Sequence, residues 1–257
     1  MAILEIRSLT KHFNGLTAIR DLEMGVFEGE ILGLIGPNGA GKTTLFNIIS
    51  GFLQPSKGTI VFEGVDITGL QIHKITQRGI ARTFQSSELL KMETVYENII
   101  TALHTSAEVG VLREVFHTPA ARREKRYMED RALEILEFMR IAQFKDQFAG
   151  NLPHGHQRIL GMCIALACNP KLLLLDEPVT GMNPQETIAM VNLIRKLRER
   201  GVTLIVVEHD MKLVMNLSDR IVVLNYGEKI AEGPPEEIRA NKEVIEAYLG
   251  SEGEWEI

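Results

Sequence analysis

The chain has 257 residues, 45% hydrophobic and 24% charged, enough apolar material for one large domain or a domain plus a subdomain. Its formal net charge of −6 gives no global pull toward nucleic acid or anionic lipid, and no run approaches the roughly 18 apolar residues that cross a bilayer. The opening Met1-Ala2-Ile3-Leu4-Glu5 lacks a signal-peptide pattern, and Cys163 and Cys168 lack CxxC spacing, so buried free thiols in a reducing compartment are expected.

In chain order, residues 3–9 read as a strand. Residues 31–35, Ile-Leu-Gly-Leu-Ile, show no polar alternation, as befits a strand buried on both faces of a parallel sheet. Next come Gly36-Pro37-Asn38-Gly39-Ala40-Gly41-Lys42-Thr43-Thr44 and an apolar run beginning at Leu45. Strand, glycine-rich loop and helix form the context in which GxxxxGK[ST] denotes a phosphate-binding loop. The glycines let backbone N–H groups converge on phosphate, and the helix N-terminus adds a favourable dipole. Lys42 can bridge the β- and γ-phosphates of a nucleoside triphosphate, and the Thr43 hydroxyl can ligate Mg²⁺.

Residues 58–62 are a further strand, followed by a Glu63-Gly64 turn. From Thr94 to about Gly150 the character changes. Residues 95–104 and 120–140 read as helices, with Leu133, Leu136, Phe138 and Met139 among the apolar positions. Strands return at 171–176, 202–207 and 220–225, separated by helices near 185–200 and 210–217, a βαβ alternation. The expected organisation is an α/β nucleotide-binding core at residues 3–85 and 170–250, a helical insertion at about 86–169, and a tail at 251–257.

A second chemical motif is Leu172-Leu173-Leu174-Leu175-Asp176-Glu177-Pro178. Four leucines make a buried strand, and two carboxylates emerge at its C-terminal end, where open α/β sheets bind ligands. Asp176 is placed to hold Mg²⁺, through water, and Glu177 to orient and deprotonate an attacking water.

The motif order completes the pattern: phosphate loop, Thr83-Phe84-Gln85, helical insertion, Leu152–Arg158, Leu175-Asp176-Glu177-Pro178, then Glu208-His209-Asp210. From about residue 3 to 250 the chain resembles the ATP-binding cassette proteins. The resemblance implies a P-loop NTPase core with a mostly parallel RecA-like sheet and an N-terminal antiparallel β subdomain. A helical subdomain would be inserted between Gln85 and the signature. Phe13 would stack on adenine, Gln85 would contact Mg²⁺ and report nucleotide state to a membrane partner, and His209 would contact the γ-phosphate.

The family signature normally reads Leu-Ser-Gly-Gly-Gln and faces the ATP of the opposite protomer. Here the place reads Leu152-Pro153-His154-Gly155-His156-Gln157-Arg158. Proline is tolerated at a helix start, so the dipole and the Gly155 N–H can still point at phosphate, but the serine hydroxyl is gone. His154 or His156 could supply an imidazolium N–H in its place. With no third His or Cys nearby, the pair does not read as a zinc site.

The loop Val179-Thr180-Gly181-Met182-Asn183-Pro184, the run from Glu208 to Met215 and the stretch Val244–Gly250 narrow the resemblance. They look like the larger ATPase subunit of bacterial high-affinity branched-chain amino acid importers. That implies a second cassette subunit (identical or different), transmembrane permease subunits and, indirectly, a periplasmic or extracellular substrate-binding protein, with no nucleic acid. The location implied is peripheral, on the cytoplasmic face of the cell membrane. Relatives serving urea, short amides or lipopolysaccharide export are alternatives, as is a nucleotide-binding cassette with little hydrolysis. The cluster Arg122-Arg123-Glu124-Lys125-Arg126 reads as a solvated helix face, Met211 and Met215 as core, and the Trp255 tail as a frayed end.

Overall fold

The computed structural model describes residues 2–83, 89–106 and 119–249. Strands β1 (Ala2–Phe13) and β2 (Leu16–Phe27) form a long hairpin. Its turn is Asn14-Gly15, both with positive φ, the geometry that matches the twist of flanking strands. β1 thus runs four residues beyond its apolar stretch, and β2 has no counterpart in the sequence reading. The cause is irregular register. Ser8 and Asp21 adopt left-handed φ values of 46° and 43°, and the pairing shifts around Leu9, so period-2 alternation is broken in both strands. With β4 (Lys57–Phe62) and β5 (Val65–Asp66) they make an antiparallel sheet in the order β2-β1-β4-β5.

The second sheet contains β3 (Ile31–Ile35), β6 (Ile80–Arg82), β7 (Leu172–Asp176), β8 (Thr203–Val207), β9 (Arg220–Asn225) and β10 (Glu228–Gly233). Their order is β10-β9-β3-β8-β7-β6, parallel except for β10 on β9. Every residue of β3 is buried, and Leu172 to Leu175 on β7 are fully so. Alternate leucines of β7 serve opposite layers. Leu172 and Leu174 pack with Leu4, Ile6 and Phe46 between the two sheets. Leu173 and Leu175 pack toward α3 (Val95–Ser106), α4 (Pro119–Phe138) and α5 (His154–Ala167), through Ile99, Ile135 and Leu160 among others. Each fully buried leucine contributes roughly 1.5–3 kcal/mol, so this strand ties the layers together.

α1 (Lys42–Ile49) follows β3, α2 (Ile72–Gln77) precedes β6, and α6 (Pro184–Glu199) links β7 to β8. α7 (Met211–Leu217), α8 (Pro235–Ala240) and α9 (Lys242–Leu249) cover the β9 side, where Met211, Val214, Val244 and Tyr248 pack with Ile35 and Ile221. Met215 is packed against the same group, as expected of core methionines. On α4 the expected apolar face is narrower than the sequence suggested: Leu133 is exposed, while Ala132, Ile135 and Leu136 are buried. Arg122, Arg123, Lys125 and Arg126 are exposed on the same helix. Among the described residues no helix is long and apolar enough to cross a membrane.

Candidate functional site

The phosphate loop leaves β3 at Ile35 and enters α1 at Lys42. Glycine is required at both ends. At Gly36, with φ 153°, a Cβ would stand 2.1 Å from the Leu224 carbonyl oxygen; at Gly41, with φ 104°, it would stand 2.6 Å from that of Ala18. Gly41 caps α1 without a side-chain bond, so the first-turn N–H groups have no side-chain acceptor at the cap. Lys42 is 7% exposed, and its ammonium folds back to donate to the carbonyls of Gly36 and, at 3.1 Å, Pro37. Backbone bonds stitch the loop to its neighbours: Gly227 N–H donates to Ala40 O at 3.0 Å, and Arg20 N–H to Gly227 O at 2.8 Å.

A cleft of about 740 Å³ opens over this loop, lined by Phe13, residues 38–44, Glu177, His209 and Tyr226. The structure thus gathers the expected base-stacking, phosphate-binding and hydrolytic residues at one place. Phe13 is half-exposed, with the Lys11 ammonium 4.9 Å from its ring centroid. Tyr226, in the exposed β9–β10 turn, was not anticipated, since a lone aromatic in a turn carries no motif.

Glu177 and His209 meet directly, with His209 Nε2 2.8 Å from Glu177 Oε1. Glu177 has a left-handed backbone, φ 48°, although it is not glycine. Its N–H donates to Val207 O at 2.9 Å, and Arg158 of α5 donates to its carbonyl at 2.6 Å. Glu208, beside the histidine, is buried. It accepts from Val179 N–H at 2.8 Å and from His209 N–H at 3.3 Å. Burial pushes the Glu208 carboxyl up, reinforced by the neighbouring Glu177 charge and opposed by the two N–H donors and His209.

Asp176 sits at the end of β7, paired with Arg82 at 2.7 Å; both side chains are largely buried. Arg82 also donates to Asn47 Oδ1 on α1 at 2.6 Å and lies 5.5 Å over the Phe46 ring. One guanidinium therefore ties β6, β7 and the phosphate-loop helix together. Its signal in the sequence was a charged residue closing an apolar strand, with its partner 94 positions away. Thr43 and Asp176 supply hard oxygen donors, and among the described residues no cluster of three His, Cys, Asp or Glu could hold a metal. So sparse a set fits Mg²⁺, which takes most of its ligands from phosphate and water. Gln85 lies outside the described residues.

The signature residues do not line this cleft. Leu152 and Gly155 are buried, and Gln157 Nε2 donates to Leu152 O at 2.8 Å, closing the turn that starts α5. Pro153 is the N-cap and makes no side-chain cap bond. A Cβ on Gly155 would press 3.2 Å from Glu186 Oε1, within the Asn183–Glu186 capping box of α6. The two histidines differ. His154 is exposed, whereas His156 packs edge-on against Phe144 at 4.6 Å, with a buried Nδ1 that has no hydrogen-bond partner among the described residues. Further along, α5 lines an apolar groove of about 180 Å³ with Gly161, Ile164, Ala165 and Cys168, facing Phe52, Ile72 and Ala81. Cys163 is buried and Cys168 half-buried, both as free thiols that burial pushes up.

Known proteins share this arrangement. Residues 19–180 match the family described as "ABC transporter", and residues 228–254 match "Branched-chain amino acid ATP-binding cassette transporter". Residues 147–216 also match an AAA-domain family, overlapping the first. The "High-affinity branched-chain amino acid transport ATP-binding protein BraF" of Pseudomonas aeruginosa is 46% identical over 249 residues, covering 96% of this chain and 98% of its own. A solved structure of the ADP conformation of MJ1267, an ATP-binding cassette of an ABC transporter, superposes with a TM-score of 0.85 at 32% identity, covering 98% of this chain and all of that one. A dimeric, post-hydrolysis cassette, MJ0796 bound to ADP and Pi, gives 0.76 at 25% identity, covering 90% and 98%. A family match across the whole phosphate loop and both carboxylates, on a fold that superposes over nearly the whole chain, leaves one assignment: the chain belongs to the ABC transporter family, as an ATP-binding cassette with ATPase activity.

Proposed function

We propose that this chain energises an importer of branched-chain amino acids, acting as one of a pair of cassettes on the cytoplasmic face of permease subunits. The cargo reading is supported by the family match at residues 228–254 and by the name of the relative from Pseudomonas aeruginosa. The paired reading is supported by the signature residues, which stand apart from the chain's own cleft and so suit the ATP of a partner. A substrate-binding protein outside the cell would act only through the permease. The groove along α5 is lined in part by Arg82, the ion-pair partner of Asp176, a continuity with the nucleotide-site carboxylate that suits it to pass nucleotide state to the permease.

The observation that carries the mechanism is the 2.8 Å contact between Glu177 and His209 at the edge of the phosphate-loop cleft. Phe13 stacks on the base, and the N–H groups of residues 39–44 with the Lys42 ammonium hold the phosphates. To reach them, Lys42 exchanges the carbonyls of Gly36 and Pro37 for phosphate oxygens. Thr43, Gln85 and Asp176 would hold Mg²⁺, which when bound neutralises phosphate charge. Glu177 orients a water and takes its proton, and His209 exchanges its contact with Glu177 to donate its N–H toward the γ-phosphate.

The experiment is Glu177→Gln in the purified chain. Turnover should fall roughly 10²–10⁴-fold with ATP binding preserved. Undiminished hydrolysis would move the base elsewhere. Leucine uptake by proteoliposomes holding the chain with its permease tests the cargo, and uptake of urea instead would overturn it.

A further inference from the structure

Glu177 pays a conformational cost. A non-glycine residue in the left-handed region persists only when its surroundings over-determine it. The surroundings include three hydrogen bonds from outside this turn to its backbone: Glu177 N–H to Val207 O, Arg158 to Glu177 O, and, two residues on, Val179 N–H to Glu208 Oε1 at 2.8 Å. The third comes from a side chain 3% exposed to solvent, whose other oxygen accepts the N–H of His209 at 3.3 Å. Burying a carboxylate is unfavourable unless both oxygens find donors. Here the two donors belong to the two catalytic loops. An apolar side chain of similar volume would fill this position at lower cost but would release both N–H groups.

We infer that Glu208 is a positioning residue that fixes the backbone beyond Glu177 and the backbone of His209 through one carboxylate, presetting the base and the imidazole at contact distance. The inference rests on Glu177 acting as the base. Val179 opens the segment that leads to the Asn183–Glu186 capping box against which Gly155 packs. Glu208 therefore holds one end of the stretch that reaches the signature helix.

The test uses the full chain with Glu208→Gln, which keeps the shape, and Glu208→Ala. Glu208→Ala should lower kcat roughly 10–100-fold, the scale of one or two hydrogen bonds to a charged group, with KM for ATP within about 2-fold. Glu208→Gln should fall between, because its amide oxygen accepts one N–H while its NH₂ meets the other donor. In a Glu177→Gln background each change should cost less than it does in the wild type. The pH profile separates positioning from simple packing. The charged groups facing Glu208 are Glu177 and His209, and both are present in the wild type and in each Glu208 variant. The Glu208 carboxyl lies above its ordinary value, so as pH falls it gains a proton and loses an acceptor; wild-type kcat should carry this acid-side loss and Glu208→Gln should lack it. Unchanged kcat in Glu208→Ala, or an equal loss in the Glu177→Gln background, would overturn the inference. If Glu208→Ala does not fold, Glu208→Gln and its pH profile decide alone. Loss of activity in Glu177→Gln with full activity in both Glu208 variants would sink this inference and leave the base intact.

Discussion

Arg82→Met removes a guanidinium whose side chain is 7% exposed and which lies 2.7 Å from Asp176, itself 15% exposed. Methionine fills much of the same volume, so the loss is chiefly electrostatic. Breaking one side of a buried ion pair costs about 3–5 kcal/mol, and the residual contact of Asp176 with water draws this to the lower bound. Losing the 2.6 Å bond to Asn47 adds about 1 kcal/mol, offset by the better burial of an apolar side chain. The expected destabilisation is about 3 kcal/mol, which for a chain of this size lowers Tm by about 6–12 °C. Arg82→Lys keeps the charge without the fork and should lose about half as much. The assay is thermal unfolding of the nucleotide-free protein, repeated with saturating ATP plus Mg²⁺ and with ATP plus EDTA. With Mg²⁺ held beside Asp176 as proposed, the cation would replace part of the missing charge, so Mg²⁺ should narrow the gap to wild type and EDTA should not. A variant melting within 2 °C of wild type, or an equal recovery in EDTA, would refute the argument.

Two other outcomes follow from the cleft and the signature. Phe13→Ala should weaken ATP and GTP binding alike, by roughly 2–10-fold, because stacking uses the π face and ignores base edges; equilibrium titration with both nucleotides checks this, and a loss confined to ATP would assign position 13 another role. Pro153→Ser restores a hydroxyl at the start of α5, so the isolated chain should hydrolyse ATP severalfold faster, and mixing in a cassette with a Leu-Ser-Gly-Gly-Gln signature should raise wild-type turnover sharply. An isolated wild-type chain already at full rate, unmoved by either change, would show that the missing serine is immaterial.

The parts legible in the sequence were those whose cause is local. β3, the phosphate loop and α1 announce themselves because a strand buried on both faces has no polar alternation and the glycines are sterically obligatory at Gly36 and Gly41. β9 was read to the residue for the same reason. β2 was invisible because bulges at Ser8 and Asp21 erase period 2, and its pairing depends on backbone bonds that any side chain permits. The parts played by Arg82 and Glu208 are not legible in the sequence because their partners Asp176 and Val179 lie 94 and 29 positions away along the chain. Only the folded sheet reveals which carboxylate meets which donor. The strain at Glu177 is likewise a backbone property with no residue-type signal.

Helix α5 has a mechanical consequence. Its 14 residues span about 21 Å at 1.5 Å per residue. Leu160 and Cys163, near its midpoint, are wholly buried. One arm carries Pro153 and His154 into the open, and the other carries Ile164 and Cys168 along the groove. For a rigid rod pivoting at that midpoint the arms are nearly equal, so a sideways push of about 1 Å at the groove end would tilt it by roughly 5° and swing the signature end about 1 Å the opposite way. Such a rod reverses the direction of a stroke without amplifying it, so in the proposed pairing any displacement at a partner's phosphate would have to be matched, ångström for ångström, at the groove.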